Sequence, residues 1–185
     1  MALSNKTKIL LYGSNLWYFG EGMLGPLFAV FAQRVGGNIL DLTSAWATYL
    51  VVTGVLNIII GKLSDRHIAK EKLMVVGYAL NAFFTFSYLF VSSPAGLFFT
   101  QAGLGVAAAL AVPTWLALYD KHSGRTARED GFIWGMASGQ GQIITGIAIV
   151  IGGVIVNYGS FSALFITMGT IQIIATLYQA KILRS

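Results

Sequence analysis

The chain turns at Gly61-Lys62-Leu63-Ser64-Asp65-Arg66-His67-Ile68-Ala69-Lys70-Glu71-Lys72, a charged segment between two long apolar runs. Seven of its twelve side chains are ionisable, and charge at that density is too costly for the hydrocarbon interior of a membrane. This 61–72 segment is therefore predicted to form a tight turn at a membrane surface. One helix is expected to end before Gly61 and the next to begin after Lys72.

Composition also places the chain in a membrane. Of its 185 residues 56% are hydrophobic and 10% are charged, with a mean hydropathy of +0.71. A soluble domain of this size could not bury so much apolar surface in one core. There is no cysteine, and the two histidines, His67 and His122, fall in charged turns. One copy cannot assemble a disulfide framework or a Cys/His metal site, so we expect no metal and no cofactor.

Six membrane spans are predicted. A hydrocarbon core of about 30 Å needs roughly 20 apolar residues in a helix, and the runs of that length are 9–33, 44–61, 73–92, 96–119, 131–156 and 161–180. The first run lacks a small-residue cleavage site, so it is interpreted as a retained helix and not as a signal peptide. The chain is thus expected to be an all-α membrane protein with one six-helix domain, residues 1–185.

The basic residues predict the orientation. With six spans, eleven of the twelve Lys and Arg residues fall on the side that holds both termini, and only Arg34 falls on the other. Basic residues stay on the cytoplasmic side, so both termini are predicted to be cytoplasmic. Topology also accounts for the net charge of +5, so no nucleic-acid partner is needed to explain it.

The chain repeats a spacing of small residues. Four positions in the first half recur 92 residues later: Thr53, Gly54, Gly61 and Gly77 correspond to Thr145, Gly146, Gly153 and Gly169. Three spans, an odd number, separate the copies, so the halves, about 9–92 and 96–181, are predicted to lie in the membrane with opposite polarity. Coincidence of common residues is the alternative explanation.

The 61–72 segment resembles the G-x-x-x-D-R-x-G-x-[RK]-[RK] signature between the second and third helices of the major facilitator superfamily. The matching residues are Gly61, Asp65, Arg66 and Lys70, whereas Ile68 and Glu71 depart from the pattern. With the spans, the charge bias and the repeat, residues 9–181 are similar to one six-helix half of such a transporter. The resemblance implies transport by alternating access, with a cytoplasmic gating motif formed by the matching residues and with Asp120 near Arg66.

Glu21 is the only acid in the central part of any predicted span. An ionised carboxylate at that depth is costly, so Glu21 must face a water-filled cavity or a partner, or stay protonated. It is predicted to bind a proton or a cationic substrate, and the alternative is a structural acid that is hydrogen-bonded to a neighbouring helix. Trp17 and Ser14 lie on the same helical face at steps of four and three residues.

Further contacts are predicted from polar and aromatic residues in other spans. Pro26 and Pro113 are expected to bend the first and fourth spans, and bent helices tend to border cavities. The first and fourth helices line the substrate path in the resembled family, so Gln101 and Trp115 are predicted substrate contacts. For Trp115 an anchor at the membrane interface is the alternative. The remaining predicted polar contacts are Asn57 and Gln142.

Small residues predict a helix–helix interface. Gly139, Gly146 and Gly153 recur every seven residues on the fifth span, and Gly54 lies on the second. Such residues let helix backbones approach closely. They favour a parallel homodimer, because the strong charge bias disfavours the antiparallel pairing seen in small multidrug exporters.

The leading hypothesis is a half-size secondary transporter, a symporter or antiporter of a bacterial or archaeal cytoplasmic membrane. It would move a small molecule, coupled to protons, as a parallel homodimer. The alternatives are a non-transporting scaffold or assembly module, or the N-terminal half of a twelve-helix transporter. Met1 with its short basic tail is typical of a natural start, and residues 181–185 fit either a true end or a cut. An enzyme is not expected, because no nucleophile and base are paired inside the spans.

Overall fold

The chain folds as a bundle of α-helices. The structure, a computed structural model, describes residues 3–66, 68–123 and 130–184, apart from the side chains of Asp65, Arg66 and Asp130. Its α-helices are α1 (Asn5–Gly22), α2 (Leu27–Arg34), α3 (Ile39–Arg66), α4 (Lys70–Ser87), α5 (Pro94–His122), α6 (Asp130–Tyr158) and α7 (Phe161–Gln179). Short 3₁₀ helices follow α4 at Tyr88–Phe90 and α7 at Ala180–Arg184.

Within the described residues, five helical segments are long and apolar enough to cross a membrane. They are Ile39–Ser64, Lys70–Phe90, Pro94–His122, Gly131–Tyr158 and Phe161–Arg184. An α-helix satisfies all of its backbone hydrogen bonds internally, which is what a segment in hydrocarbon requires. The prediction of an all-α membrane protein is therefore confirmed.

The first predicted span is divided into α1 and α2. The break lies between Gly22 and Leu27, and Pro26 is the residue that precedes α2. Since proline lacks a backbone N–H and restricts the residue before it, this position favours the end of a helix. Pro113, in contrast, lies inside α5, which is helical on both sides of it.

The turn in the 61–72 segment is shorter than predicted. The expectation that the helices stop before Gly61 and restart after Lys72 is wrong, because α3 continues to Arg66 and α4 begins at Lys70. Charged side chains must leave the hydrocarbon, but the helix that carries them can continue into the polar layer. Lys70 Nζ donates a 3.1 Å hydrogen bond to the carbonyl oxygen of Ser64, which links the two helix ends. His67 lies outside the described residues.

The contacts between helices follow a symmetrical pattern. α5 packs against α3 and α4, while α1 packs against α6 and α7, and α4 also packs against α7. If α1, α3 and α4 are exchanged with α5, α6 and α7, respectively, the same pairs of helices are in contact. The helices α1 and α5 therefore hold equivalent central positions, each between two other helices.

Glycines allow α1 to approach α7. A Cβ atom added at Gly20 would lie 2.6 Å from Nε2 of Gln172, and one added at Gly13 would overlap the side-chain amide of Gln179. Gln172 donates a 3.1 Å hydrogen bond to the carbonyl oxygen of Trp17. Both glutamines are fully buried. Each one therefore fills the space left by a glycine of α1, and this contact fixes the position of the helix that carries Glu21.

Two apolar clusters lie toward opposite ends of the bundle. One is centred on Phe31, Tyr88 and Phe165, and the other includes Leu10 and Tyr119. The rings of Tyr88 and Phe165 stack with centroids 4.9 Å apart. The region between the two clusters contains Glu21 and the cavities described next.

Candidate functional site

Three cavities with shared walls lie in the bundle. The Gln101 cavity has a volume of about 100 Å³, the Trp17 cavity about 230 Å³ and the Gln142 cavity about 620 Å³. Glu21 and Tyr49 line both the first and the second. The second and third share Tyr18 and Trp115. The cavities therefore form a series, with the Trp17 cavity in the middle.

Glu21 stands at the boundary between the Gln101 cavity and the Trp17 cavity. It lies in the last turn of α1, just before the break at Pro26, and its side chain is partly exposed. Asn81 of α4 interacts with the carboxylate, although its Nδ2 atom makes no hydrogen bond of ordinary length. The carboxylate thus has a polar neighbour and open space on two sides.

Aromatic rings form much of the wall of the Trp17 cavity. These rings belong to Trp17, Tyr18, Tyr49, Tyr78 and Trp115, and Ser14 and Glu21 also line the cavity. The rings of Trp17 and Tyr78 meet edge to face with centroids 4.6 Å apart. Such edge-to-face contacts hold aromatic side chains in a defined geometry.

Trp115 is fixed by two contacts. Its indole Nε1 donates a 3.0 Å hydrogen bond to the carbonyl oxygen of Leu10, and its ring stacks on Tyr119 at 4.8 Å. The indole N–H is therefore used within the protein, and the part of Trp115 that lines the cavity is its aromatic ring. The interpretation of Trp115 as an anchor at the membrane interface remains compatible with these contacts.

Gln101 lies in the first cavity, on the side of Glu21 away from Trp115. Its side chain is 3% exposed, and Tyr88, Thr85 and Trp46 line the same space. Gln101 and Trp115 are fourteen residues apart on α5, which corresponds to about 21 Å along the helix axis. The two cavities that meet at Glu21 therefore extend in opposite directions along the bundle.

Gln142 lies in the largest cavity. This cavity is bordered by α6 residues that include Trp134, Ser138 and Gly146, and by Tyr18 and Trp115 from the central helices. Gln142 and Gly146 are exposed. The space between α1, α5 and α6 is thus open at the surface of the bundle.

Most predicted contact residues meet around these cavities, and Asn57 does not. Ser14, Trp17 and Trp115 join Glu21 in the Trp17 cavity, whereas Asn57 of α3 is absent from the lining of all three cavities. The Oδ1 atom of Asn57 is buried without a hydrogen-bond partner. The face of α3 that reaches the cavities carries Trp46 and Tyr49 instead.

The predicted gating motif is described only in part. The side chains of Asp65 and Arg66 lie outside the description, so the predicted approach of Asp120 to Arg66 stays a prediction. Asp120 is exposed near the end of α5. A Cβ atom at Gly61 would meet nothing within 4 Å, so this glycine is not needed for close packing within one copy.

The glycines of the predicted interface face open space. An added Cβ atom would have no neighbour within 4 Å at any of them: Gly54, Gly139, Gly146 and Gly153. The repeat partners Gly77 and Gly169, in contrast, are packed at 2.7 Å and 2.6 Å against α5 and Phe86. Within one copy, the interface glycines leave a groove on the helix surface, whereas Gly77 and Gly169 are packed against other helices.

Several lining residues were missed by the sequence analysis. They are Tyr18, Tyr49 and Tyr78, and the sequence analysis also missed Asn81, which lies beside Glu21. Each of these side chains carries a polar atom at mid-span. That property was visible in the sequence, but which helical face reaches the centre depends on the packing of other helices. Within the residues described, no group of three or more His, Cys, Asp or Glu side chains could hold a metal ion.

These features define an integral membrane protein with a partly polar internal path that is lined by central helices. The family model described as Major Facilitator Superfamily matches residues 10–184. The chain therefore belongs to this superfamily of membrane transporters, and the resemblance inferred from the 61–72 segment is confirmed.

A curated relative gives the same family. The chain is 28% identical over 94 residues to an uncharacterized MFS-type transporter of Methanocaldococcus jannaschii. The match covers 51% of this chain and 24% of that protein. The chain thus aligns with about a quarter of the length of this relative.

Proposed function

We propose that the chain forms a six-span half of a secondary transporter that moves a small molecule by alternating access, with Glu21 as the proton-binding residue. The single observation that carries this proposal is the position of Glu21 at the wall shared by the Gln101 and Trp17 cavities. A group at this position can respond to ligand or protons that arrive from either cavity.

The proposed topology has both termini in the cytoplasm. The segment formed by α1 and α2 supplies the sixth crossing, interrupted beside Pro26, and the basic residues favour the cytoplasm for both termini. The inverted repeat is supported by the symmetrical helix contacts and by the matching surroundings of the glycine pairs. In this arrangement α1 and α5 are the equivalent helices that border the path.

The proposed functional unit is a parallel homodimer. One copy leaves the Gln142 cavity open beside the exposed glycines of α6, so a second unit is needed to complete the wall of the path. The limited coverage of the longer relative supports a different second unit, as in the N-terminal half of a twelve-helix transporter. The oligomeric state of the purified chain separates these arrangements.

Alternating access can be tested without knowing the substrate, because the chain has no native cysteine. Thr85→Cys places a label site in the Gln101 cavity, and Ser138→Cys places one in the Gln142 cavity. Membrane-impermeant maleimide is applied to each side of oriented vesicles. Lowering the pH is expected to raise the labelling rate at one cysteine and lower it at the other.

Glu21→Gln is expected to abolish this response, since glutamine preserves the shape and cannot lose a proton. Tyr158→Cys is the control, because Tyr158 is 86% exposed at the end of α6 and lines none of the three cavities. Labelling at Tyr158→Cys should not depend on Glu21. If the labelling rates at Thr85→Cys and Ser138→Cys do not depend on pH while Glu21 is intact, the proposal is contradicted.

A further inference from the structure

We infer that the transported substrate is a lipophilic organic cation, an ammonium compound with apolar substituents, which binds in the Trp17 cavity between Glu21 and the surrounding aromatic rings. The inference rests on the proposed transport function, because it names the substrate class for the same site. It is carried by the charge, the wall chemistry and the size of that cavity.

The charge of the site excludes an anionic substrate. Glu21 is the only carboxylate in the wall of the Trp17 cavity and of the Gln101 cavity, and no Lys, Arg or His is among the described residues that line them. An anion there would lie beside a carboxylate and have no positive partner in a medium of low dielectric constant. A cation, in contrast, would give ionised Glu21 a positive partner in addition to the uncharged amide of Asn81.

The wall chemistry disfavours a bare calcium or magnesium ion. Calcium and magnesium require about six to eight oxygen ligands in an ordered shell. The Trp17 cavity offers one carboxylate, a serine hydroxyl and the hydroxyls of its tyrosines, and Ser14 Oγ already donates to the carbonyl oxygen of Leu11. The rest of the wall is aromatic or aliphatic, so the favoured partner is a cation that carries its own apolar surface.

The aromatic rings suit such a cation. The π faces of Trp and Tyr attract ammonium groups within about 6 Å, and alkyl substituents replace the water that the cation gives up. Trp17 and Tyr78 fix each other, and Trp115 is held by Leu10 and Tyr119. Because these rings are positioned before the ligand arrives, little ordering is required on binding.

The volume sets the size of the ligand. A cavity must have a volume of about 10 to 15 Å³ to hold one water molecule. The volume of the Trp17 cavity is about 230 Å³. This space is far larger than a proton relay needs and too small for a peptide. A compact ammonium ion with a few alkyl groups or one aryl group fits these limits.

The first test measures binding by the purified full chain in mild detergent. The probes are tetraethylammonium, choline, and 3,3-dimethyl-1-butanol, which is the neutral carbon analogue of choline. Binding is followed by calorimetry and by the intrinsic fluorescence of the four tryptophans, two of which, Trp17 and Trp115, line the cavity. The cations are expected to bind at least tenfold more tightly than the neutral analogue, and Glu21→Gln is expected to remove most of that difference.

The aromatic contribution is tested with matched tyrosine variants on α1. Tyr18→Leu is expected to weaken binding of tetraethylammonium roughly threefold to thirtyfold, whereas Tyr18→Phe keeps the ring and should retain the affinity. Tyr12→Leu is the control, since Tyr12 is 54% exposed, similar to 43% for Tyr18, and packs against Tyr178 away from the cavities. Equal losses for Tyr12→Leu and Tyr18→Leu would overturn the inference.

Uptake into proteoliposomes separates this inference from the proposed function. Binding of the cations that depends on Glu21, without uptake, supports the cation site and contradicts transport. The cation site is overturned if the cations fail to bind, or if the neutral analogue binds as tightly as choline. This conclusion holds even if the cysteine variants show pH-dependent alternating access.

Discussion

The side chain of Asn81 is 1% exposed, and its Nδ2 atom has no hydrogen bond of ordinary length. An unpaired amide in the interior costs free energy of folding, about 1–3 kcal/mol. The nearby carboxylate of Glu21 gives this cost a functional explanation, because the amide can support the charged form when Glu21 loses its proton. Asn81 is thus expected to matter more for the response of Glu21 than for stability.

Asn81→Leu is predicted to leave the unfolding free energy unchanged or to raise it by up to about 1–3 kcal/mol, since the buried Nδ2 atom, which has no hydrogen bond of ordinary length, is replaced by an apolar group of similar size. The same variant should weaken the pH response of labelling at Thr85→Cys. Thermal unfolding in detergent and the labelling assay measure the two effects.

Asn15→Leu is the matched control for this prediction. Nδ2 of Asn15 donates a 3.0 Å hydrogen bond to Oε1 of Gln140, so its loss should destabilise the protein by about 0.5–1.5 kcal/mol. A destabilisation of Asn81→Leu larger than that of Asn15→Leu, with an unchanged pH response, contradicts the role given to Asn81.

At the scale of elements, the contact between α1 and α7 depends on Gly20. In Gly20→Ala the new Cβ atom would lie 2.6 Å from Nε2 of Gln172, so this side chain must move and lose its hydrogen bond to Trp17. We predict a loss of about 1–3 kcal/mol in unfolding free energy. Thermal unfolding of the variants in one detergent checks this value.

The predicted loss has a rescue and a control. Gln172→Ala in the same chain removes the clash, so the double variant should lose less stability than the sum of the two single variants. Gly135→Ala is the control, since nothing lies within 4 Å of its added Cβ atom, and it should be neutral or stabilising by up to about 1 kcal/mol. If Gly20→Ala has the same unfolding free energy as the parent chain, the packing argument is contradicted.

The sequence predicted the helical type of the apolar segments because hydrocarbon allows few other backbone structures. It predicted six spans, whereas five described helices are long and apolar enough to cross a membrane, because the first predicted span is divided beside Pro26. It predicted their ends less well. The second span was placed at 44–61 and extends over Ile39–Arg66, since Asn38 caps its N-terminus through hydrogen bonds from the backbone of Leu40 and Asp41. A measure of apolar length ignores such polar caps, and it also ignores helical turns beyond the hydrocarbon.

Helical spacing alone predicted only the part of the candidate site that lies on α1, whereas Gln101 and Trp115 of α5 were predicted from the family resemblance. Ser14, Trp17 and Glu21 share a face because their spacing follows the helical period. Tyr49 and Asn57, in contrast, both lie on α3, and the sequence did not show which of them faces the centre. Close packing of α3 on Gly105, whose added Cβ atom would lie 2.9 Å from the Tyr49 carbonyl oxygen, sets that rotation.

At the scale of the whole molecule, α3 and α6 are the most exposed of the apolar helices. In the most apolar window of each helix, 6% of α3 and 17% of α6 are buried, against 56% of α5. Apart from Gly36, the glycines whose added Cβ atoms meet nothing within 4 Å all lie on these two helices. Small residues on an exposed membrane helix favour close packing of another helix, and two copies with the same orientation place α3 of one beside α6 of the other.

We predict that Gly146→Leu disrupts this pairing, because leucine fills the groove that the partner helix needs. Val76→Leu is the control, since Val76 is 50% exposed on α4 and lies outside the proposed interface. Native mass measurement in mild detergent should give twice the chain mass for the parent and for Val76→Leu, and a larger monomer fraction for Gly146→Leu.

Crosslinking then decides how the two copies are oriented. Gly135→Cys introduces the only thiol of the chain near the start of α6, at an exposed position that is proposed to lie toward the cytoplasm. In a parallel pair the two thiols lie on the same side of the membrane, so a short bifunctional maleimide should join copy to copy. In an antiparallel pair the thiols lie on opposite sides, about 30 Å of hydrocarbon apart, and cannot be joined. If the chain remains monomeric in lipid but pairs with a separately expressed six-helix half, the functional unit is a heterodimer and not a homodimer. The open wall of the path would then be closed by a different partner.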